Sequence, residues 1–177
     1  MLTNWNGNAI TYDTIGNPLQ WKGATLTWQA RELQSYTSTG NALSFTYNAD
    51  GIRTSKTVNN VTHTYTLSGS QILTEEWDND RILYLYDENG APLGFVYGGN
   101  RYLYEKNIQG DIIGIFDAEG AKIGSYTYDA WGNCTVTPDS LADQEEIQIL
   151  TNINPLPLPW VLLRRGDRAV LSAKPLL

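Results

Sequence analysis

Several residue types that support chemistry are scarce in this chain. Its 177 residues include one cysteine, Cys134, and one histidine, His63. One cysteine excludes an internal disulfide, and one histidine with one cysteine leaves no plausible zinc set. We therefore predict no metal and no cofactor.

Basic charge and long apolar runs are also scarce. The chain has 12 basic and 19 acidic residues and a net charge of −7. Nucleic-acid binding needs a basic stripe that displaces counterions from phosphate, and no such stripe occurs before residue 163, so that class is set aside. No segment has the ~18 apolar residues of a membrane span, and the sequence MLTNWNGNAI shows no signal peptide.

Tyrosine, glycine and acidic residues occur together in a short repeated pattern. An aromatic residue, Asp or Asn, two free positions and Gly occur five times. A reduced copy, Lys106-Asn107-Ile108-Gln109-Gly110, lacks the aromatic residue. Asp or Asn opens a type I turn by accepting hydrogen bonds from backbone N–H groups. Gly then adopts the left-handed conformation through which the chain returns to the strand ladder. The predicted structural turn residues are Tyr12, Asp13, Gly16, Tyr47, Asn48, Gly51, Tyr86, Asp87, Gly90, Phe116, Asp117, Gly120, Tyr128, Asp129 and Gly132.

Alternating segments between these turns predict β-strands. The clearest is Ala42 to Tyr47, with Leu43, Phe45 and Tyr47 on one face. Further strands are predicted at 9–12, 19–21, 25–28, 53–58, 61–67, 71–77, 81–86, 91–97 and 101–105, followed by a strand–turn–strand–turn unit over 111–132. The copies are unevenly spaced, which favours a hairpin array over a regular solenoid.

The residues that could act in catalysis or metal binding are better explained by structural roles. His63 shares a strand face with apolar residues, and no motif places a nucleophile beside it. Asp78 and Asp80 resemble the start of a calcium loop but lack its other acceptors, so a solvated turn is predicted. Glu75-Glu76 and Glu145-Glu146 are adjacent, so on a strand they point to opposite faces and make poor glycosidase pairs. We predict no catalytic residue; a hydrolase using Asp129, Glu145 or Glu146 has little support.

Two interpretations of the aromatic residues remain. Rings beside turns pack across neighbouring strands, or exposed Trp and Tyr side chains form a carbohydrate-binding surface. Their regular placement before turns favours packing. Loss of glycan binding on Trp→Ala substitution at Trp21, Trp28 or Trp77 would favour the carbohydrate alternative.

The five turns, with the stretch GDIIGIFDAEGAKIGSYTYDAWG, resemble the bacterial Rhs or YD-repeat proteins, in the segment that leads into the Rhs-repeat-associated core. The resemblance covers about residues 1 to 155. It implies an all-β fold: an antiparallel hairpin array forming a curved strip of a hollow β-shell. It also implies a structural role, with the rest of the shell and an enclosed C-terminal toxin as partners, and a parent protein that is secreted or displayed at the cell surface.

The end of the chain departs from the family pattern. Codons can be chosen for Leu156 to Leu177 so that reading one nucleotide later gives FRYRGYYYDAETGLYYLQSRYY, which resembles the missing core signature. We therefore expect a truncated, frameshifted fragment with a YD-repeat region at 1–137, a linker at 138–155 and a disordered, non-homologous tail at 156–177. The family's autoproteolytic aspartates lie beyond this sequence, so no catalytic role is transferred.

Overall fold

The fold is a long antiparallel meander, seen in a computed structural model. The structure describes residues 2–5, 7–129, 134–149 and 151. The strands are β1 Asn4–Trp5, β2 Asn8–Ala9, β3 Gln20–Trp21, β4 Ala24–Gln29, β5 Glu32–Ser38, β6 Asn41–Tyr47, β7 Arg53–Val58, β8 Val61–Ser68, β9 Gln71–Trp77, β10 Asp80–Tyr86, β11 Pro92–Tyr97, β12 Asn100–Lys106, β13 Ile112–Phe116, β14 Lys122–Tyr128 and β15 Cys134–Pro138, followed by helix α1 Gln144–Gln148.

Each strand from β3 to β15 pairs with its neighbours in sequence. Within the described residues this gives one open sheet of 13 strands, with β3 and β15 at its two edges. The β1–β2 hairpin precedes it, and an isolated bridge between Tyr12 and Pro18 leads towards β3. The prediction of an all-β antiparallel hairpin array is therefore confirmed.

One face of the sheet is apolar and the other is largely polar. In β6, Phe45 is buried while Ser44 and Thr46 are exposed, as alternation predicts. The buried face, called the inner face below, carries two apolar clusters, a smaller one over β3 to β6 and a larger one over β8 to β15. The outer face of β4 to β8 is rich in hydroxyl side chains, such as the Thr27–Ser35 and Thr57–Thr62 pairs.

Two-residue turns join several of the strands. At Asn59-Asn60 both residues have positive φ, which is the geometry of a tight hairpin, and Val58 pairs with Val61. Gly98 and Gly99 also have positive φ between β11 and β12. These tips alternate along the chain with longer turns of the repeated type.

The predicted linker contains α1, a helix that the sequence pattern did not predict. The Asp143 side chain accepts the backbone N–H of Glu146, and the Glu146 side chain accepts that of Asp143, both at 2.9 Å. This reciprocal pair is a capping box. Glu146 therefore lies on a helix, so the argument from strand geometry does not apply to the Glu145-Glu146 pair. Ile149, just after α1, is buried in the larger apolar cluster.

The other expectations for the end of the chain fall largely outside the described residues. These include the tail at 156–177, its reading in a shifted frame, and most of the final turn of the repeat, with Gly132. No helix in the described part of the chain has the length and apolar character needed to cross a membrane.

Candidate functional site: the repeated turns and a buried carboxylate

The repeated turns share one hydrogen-bond pattern. In the turn opened by Asp87, the Asp87 N–H donates to the Ala91 carbonyl at 2.9 Å, and the Gly90 N–H donates to the Asp87 carbonyl at 3.0 Å. The Asp87 carboxylate accepts the N–H groups of Asn89 and Ala91 at 2.9 and 2.8 Å. One side chain thus satisfies two donors that the turn leaves outside the ladder.

The same arrangement occurs at the other described turns. Asp13, Asn48 and Asn107 each accept two backbone N–H groups, and Asp117 accepts that of Ala121 at 2.7 Å. The glycines that close these turns have φ between +74° and +89°, where a side chain is strained: Gly16, Gly51, Gly90, Gly110 and Gly120. Tyr128 and Asp129 are described, and Gly132 lies outside the described residues.

The tyrosine before each turn ties its strand to an earlier part of the chain. These residues, called the turn tyrosines below, are Tyr12, Tyr47, Tyr86 and Tyr128. Their hydroxyl groups donate to the carbonyls of Leu2, Leu33, Ile72 and Ile112 at 2.6, 2.8, 2.6 and 2.6 Å respectively. For the last three, the acceptor lies at the start of the preceding strand. The aromatic position of the repeat therefore fixes one strand against another through a polar tip.

The reduced copy keeps that interaction with a different chemical group. Lys106 occupies the tyrosine position, and its Nζ donates to the Pro92 carbonyl at 3.0 Å. Pro92 is the first residue of the preceding strand, β11. Phe116 occupies the position in another copy and has no polar tip, and the Lys122 ammonium lies 5.6 Å from its ring centroid. What recurs is thus chiefly the hydrogen-bond donor. The sequence pattern identified Lys106 only as the position that lacks a ring and did not indicate its role as a donor.

A second feature, a buried carboxylate on the inner face, was not predicted. The side chain of Glu75 is 3% exposed, whereas that of Glu76 is 51% exposed. The two residues therefore point to opposite faces, as strand geometry predicts. Lys56 Nζ and His63 Nδ1 lie 3.2 and 2.8 Å from Glu75 Oε1. The Tyr84 hydroxyl donates to Glu75 Oε2 at 2.9 Å.

These partners come from strands on both sides of Glu75. Lys56 lies on β7, His63 on β8 and Tyr84 on β10, and Lys56 and His63 are direct cross-strand partners. Burial alone would raise the pKa of Glu75, but the hydrogen bond from His63, the charge of Lys56 and the Tyr84 hydroxyl together hold it below its usual value. Burial, and next the Glu75 charge, raise the pKa of Tyr84 well above its ordinary value. Glu75 is thus an ionised acceptor and Tyr84 a neutral donor.

This arrangement is suited to holding strands together. Both Glu75 oxygens are occupied by donors from the protein, and no second carboxylate contacts them in the described part of the chain. His63 also stacks on Trp77, with ring centroids 4.8 Å apart. General acid–base chemistry requires a carboxylate oxygen that can exchange a proton with a substrate. Neither Glu75 oxygen is free to do so. The geometry therefore favours the structural interpretation of His63.

The tryptophans proposed for carbohydrate binding are packed against the sheet. Trp21 and Trp28 pack against the cluster of Leu26, Leu33 and Phe45, and Trp77 packs against the larger cluster. Trp28 Nε1 also donates to the Pro18 carbonyl at 2.7 Å. None of these three rings is an exposed platform, so the geometry favours the packing interpretation.

The candidate calcium turn has ordinary partners. The Asp80 carboxylate accepts the Tyr97 hydroxyl at 2.8 Å. No group of three or more His, Cys, Asp or Glu side chains that could hold a metal ion occurs in the described ranges.

Comparisons with known proteins bear on the repeated turns. The tRNA3(Ser)-specific nuclease WapA of Bacillus spizizenii is 37% identical to this chain over 147 residues, and the tRNA nuclease WapA of Bacillus subtilis (strain 168) is 36% identical over 147 residues. Each alignment covers 78% of this chain and 6% of the relative. The chain belongs to the Rhs/YD-repeat proteins. No protein-family profile matches it.

Solved structures support the fold of this Rhs/YD-repeat segment. The crystal structure of TcdB2-TccC3-Cdc42 matches with a TM-score of 0.57 at 18% identity, over 76% of this chain and 8% of that one. A structure of the Photorhabdus luminescens Tc holotoxin pore, with the TccC3 mutation D651A, matches with a TM-score of 0.53 at 17% identity, over 77% of this chain and 8% of that one. At such identity the likeness concerns the fold alone.

Proposed function

We propose that this chain is a wall segment of an Rhs-type shell. The observation that carries the proposal is the simple meander of β3 to β15, in which each strand pairs with its sequence neighbours and one face is apolar. A strip of this kind extends by adding further hairpins at its edges and encloses space on one side. Its role is structural, and its partners are the remainder of the shell and the toxin inside it.

The parent protein carries the toxic activity outside this segment. The WapA relatives are named tRNA nucleases, and this chain spans 6% of their length. The buried Glu75 cluster holds strands together, and the repeated turns use their acids to accept backbone N–H groups. We therefore assign no catalysis to this chain. Purified chain incubated with tRNA should leave it intact, and tRNA cleavage that is lost on Glu75→Gln would overturn this assignment.

A chimera tests the wall role. The part of Bacillus subtilis WapA that aligns with this chain is replaced by residues 4–149, and the transplanted segment is probed by limited trypsin digestion. We expect the segment to resist trypsin as well as the natural one does, because the hairpins continue the same ladder. A matched chimera with Gly90→Val and Gly110→Val should be cut within the segment. Equal, rapid cleavage of both chimeras would contradict the proposal.

The cellular location of the full-length parent protein follows from its proposed role as a toxin-enclosing shell. A shell that carries a toxin to another cell has to leave the cell that makes it, so we propose that the parent is secreted or displayed at the cell surface. Immunoblotting of culture medium, cell-wall and cytosolic fractions with an antibody against residues 41–128 tests this. Signal confined to the cytosol would contradict it.

A further inference from the structure

Strand β7 separates two apolar clusters on the inner face. The first cluster is built on Leu26, Leu33 and Phe45. The second begins at β8 with Tyr65 and Leu67 and continues to Ile149. Among the described residues, neither cluster includes a residue of β7. The apolar packing that joins other neighbouring strands is therefore interrupted at this strand.

The sequence of β7, Arg-Thr-Ser-Lys-Thr-Val, explains the interruption. Its one apolar residue, Val58, lies at the end of the strand, opposite Leu43 and Val61. Every other residue is charged or carries a hydroxyl group. The backbone ladders to β6 and β8 continue through β7, but the inner face there is polar.

The two charged residues of β7 face opposite halves of the sheet. The Arg53 guanidinium carbon lies 4.4 Å from the ring centroid of Phe45, in the first cluster. Lys56 Nζ lies 3.2 Å from Glu75 Oε1, on β9. Arg53 Nε is buried and has no hydrogen-bond partner, so the contact with the first half is incompletely satisfied. Beyond the backbone ladders, the charged side chains of β7 therefore provide its polar contacts on the inner face, with Lys56 bound to Glu75 and Arg53 lying over Phe45.

Glu75 is the residue of the second half that binds Lys56. The titratable groups that face it are Lys56 from β7, His63 and Tyr65 from β8, and Tyr84 from β10. Removing a partner from a buried charged group leaves the remaining charge without compensation, which is far more disruptive than losing a surface pair. The Lys56–Glu75 ion pair is therefore a buried side-chain contact that reaches from β7 across β8 to β9.

We propose that β7 is a hinge in the sheet and that Glu75 is the latch that closes it. While Glu75 holds Lys56, the two apolar halves keep one relative orientation. When that contact is lost, hydrogen bonds of the β7 ladders to β6 and β8 open more often, and the two halves then move as separate bodies about this strand. A sheet with such a hinge can change its curvature at one strand without disturbing either apolar cluster.

Hydrogen exchange of the full chain, followed by mass spectrometry in dilute solution at neutral pH, tests the hinge. Glu75→Gln keeps the side-chain shape but removes the charge, so the amides of β7 should exchange at least tenfold faster. The amides of β4 and of β10 to β12, inside the two halves, should accelerate only by the factor that the loss of global stability, measured by urea denaturation of the same variant, accounts for. Glu76→Gln is the matched control, because Glu76 is exposed on the same strand, and it should leave β7 unchanged.

Lys56→Met provides a second variant in case Glu75→Gln fails to fold. It removes the β7 side of the contact and leaves Glu75 with His63 and Tyr84, so it should accelerate exchange in β7 with little effect on β9. Unchanged exchange of β7 in Lys56→Met would overturn the latch. Acceleration that is uniform from β4 to β14 would also overturn it, because Glu75 would then support only global stability.

Discussion

Hydrogen bonds from single side chains to the backbone help to fix the register of this sheet. A turn tyrosine places a hydroxyl group on the carbonyl of a neighbouring strand, and the turn acid satisfies backbone N–H groups that the ladder leaves free. Burial raises the pKa of Tyr86, so the hydroxyl remains a neutral donor throughout the pH range in which the chain is handled. Each contact is local, and its contribution can be measured one residue at a time.

Tyr86→Phe should lower the free energy of unfolding by about 1 kcal/mol, the usual net contribution of one hydrogen bond. The ring remains, so only the bond to the Ile72 carbonyl at 2.6 Å is lost. Urea denaturation followed by tryptophan fluorescence measures the change. Tyr36→Phe is the control, since the structure shows no hydrogen bond from the Tyr36 hydroxyl. Equal losses in both variants would show that the carbonyl contact is not what stabilises the strand.

Lys106 tests whether the repeat requires a donor or a ring. Lys106→Met keeps an unbranched chain of similar length and should cost about 1 kcal/mol, because the Pro92 carbonyl loses its donor at 3.0 Å. Lys106→Tyr restores a donor and should return the stability to the wild-type value or above. If the Met variant were as stable as the Tyr variant, the lysine contact would contribute nothing.

Glu75 gives the chain an acid-sensitive contribution to stability. The pKa of Glu75 in the folded chain lies below its unfolded value of 4.5, so the carboxylate contributes stability above pH 4.5. That contribution is lost as the pH falls through the lower, folded pKa. Urea midpoints measured from pH 7 to pH 3 should fall in acid, and Glu75→Gln should flatten this part of the profile. Identical slopes for the two proteins would contradict the assignment.

At the scale of elements, a β-bulge places one glycine under close constraint. Leu85 pairs with Gly94 and Tyr86 with Pro92, so Leu93 is an extra residue in β11. A Cβ at Gly94 would lie 2.0 Å from the Tyr102 backbone oxygen. The neighbouring strand would have to move to accept any side chain there.

Gly94→Ala should therefore destabilise the chain by about 3 kcal/mol, at the upper end of what overpacking costs. Gly114→Ala is the control, because its Cβ would meet the flexible side chains of Glu105 at 2.6 Å and Lys122 at 3.0 Å, and backbone, the Gly124 oxygen, only at 3.2 Å. It should cost about 1 kcal/mol. Thermal unfolding followed by circular dichroism compares the two variants, and a larger loss at Gly114 would contradict the packing argument.

Most elements follow from local sequence, and the exceptions have physical causes. The Asn59-Asn60 hairpin and β6 were predictable because turn chemistry and alternation lie within a few residues. Strand β5 was not singled out, because a bulge leaves Gln34 without a partner and breaks the alternation around Leu33. Helix α1 has five residues, too few to show a helical period, although its capping box was a readable signal.

The Glu75 cluster shows where sequence reasoning ends. The Asn59-Asn60 turn fixes the register that pairs Lys56 with His63, and the next hairpin pairs Tyr65 with Glu75. Both pairings were derivable once the turns were known. The Lys56 and His63 side chains converge on one buried oxygen, Glu75 Oε1. This convergence depends on side-chain directions across several strands, which the strand boundaries alone do not give.

On the scale of the whole molecule, the sheet formed by the described residues has two edge strands, β3 and β15, and one apolar face. Edge strands present unpaired backbone groups that accept strands from other chains. In isolation the purified chain should therefore self-associate or unfold partly, with apparent mass rising with concentration in sedimentation velocity. Thr135→Lys with Thr137→Lys places charge on edge strand β15 and should reduce the association. A monomer with a sharp cooperative melt in the unmodified chain would contradict this expectation.

The meander of β3 to β15 also determines the order in which the sheet can be built. Because each strand bonds to the strand made just before it, a hairpin can close as soon as its second arm is available, without waiting for distant parts of the polypeptide. Such a sheet can assemble progressively as the chain leaves a ribosome or a translocation channel. Growth then proceeds from one end, and each completed strand is the template for the next.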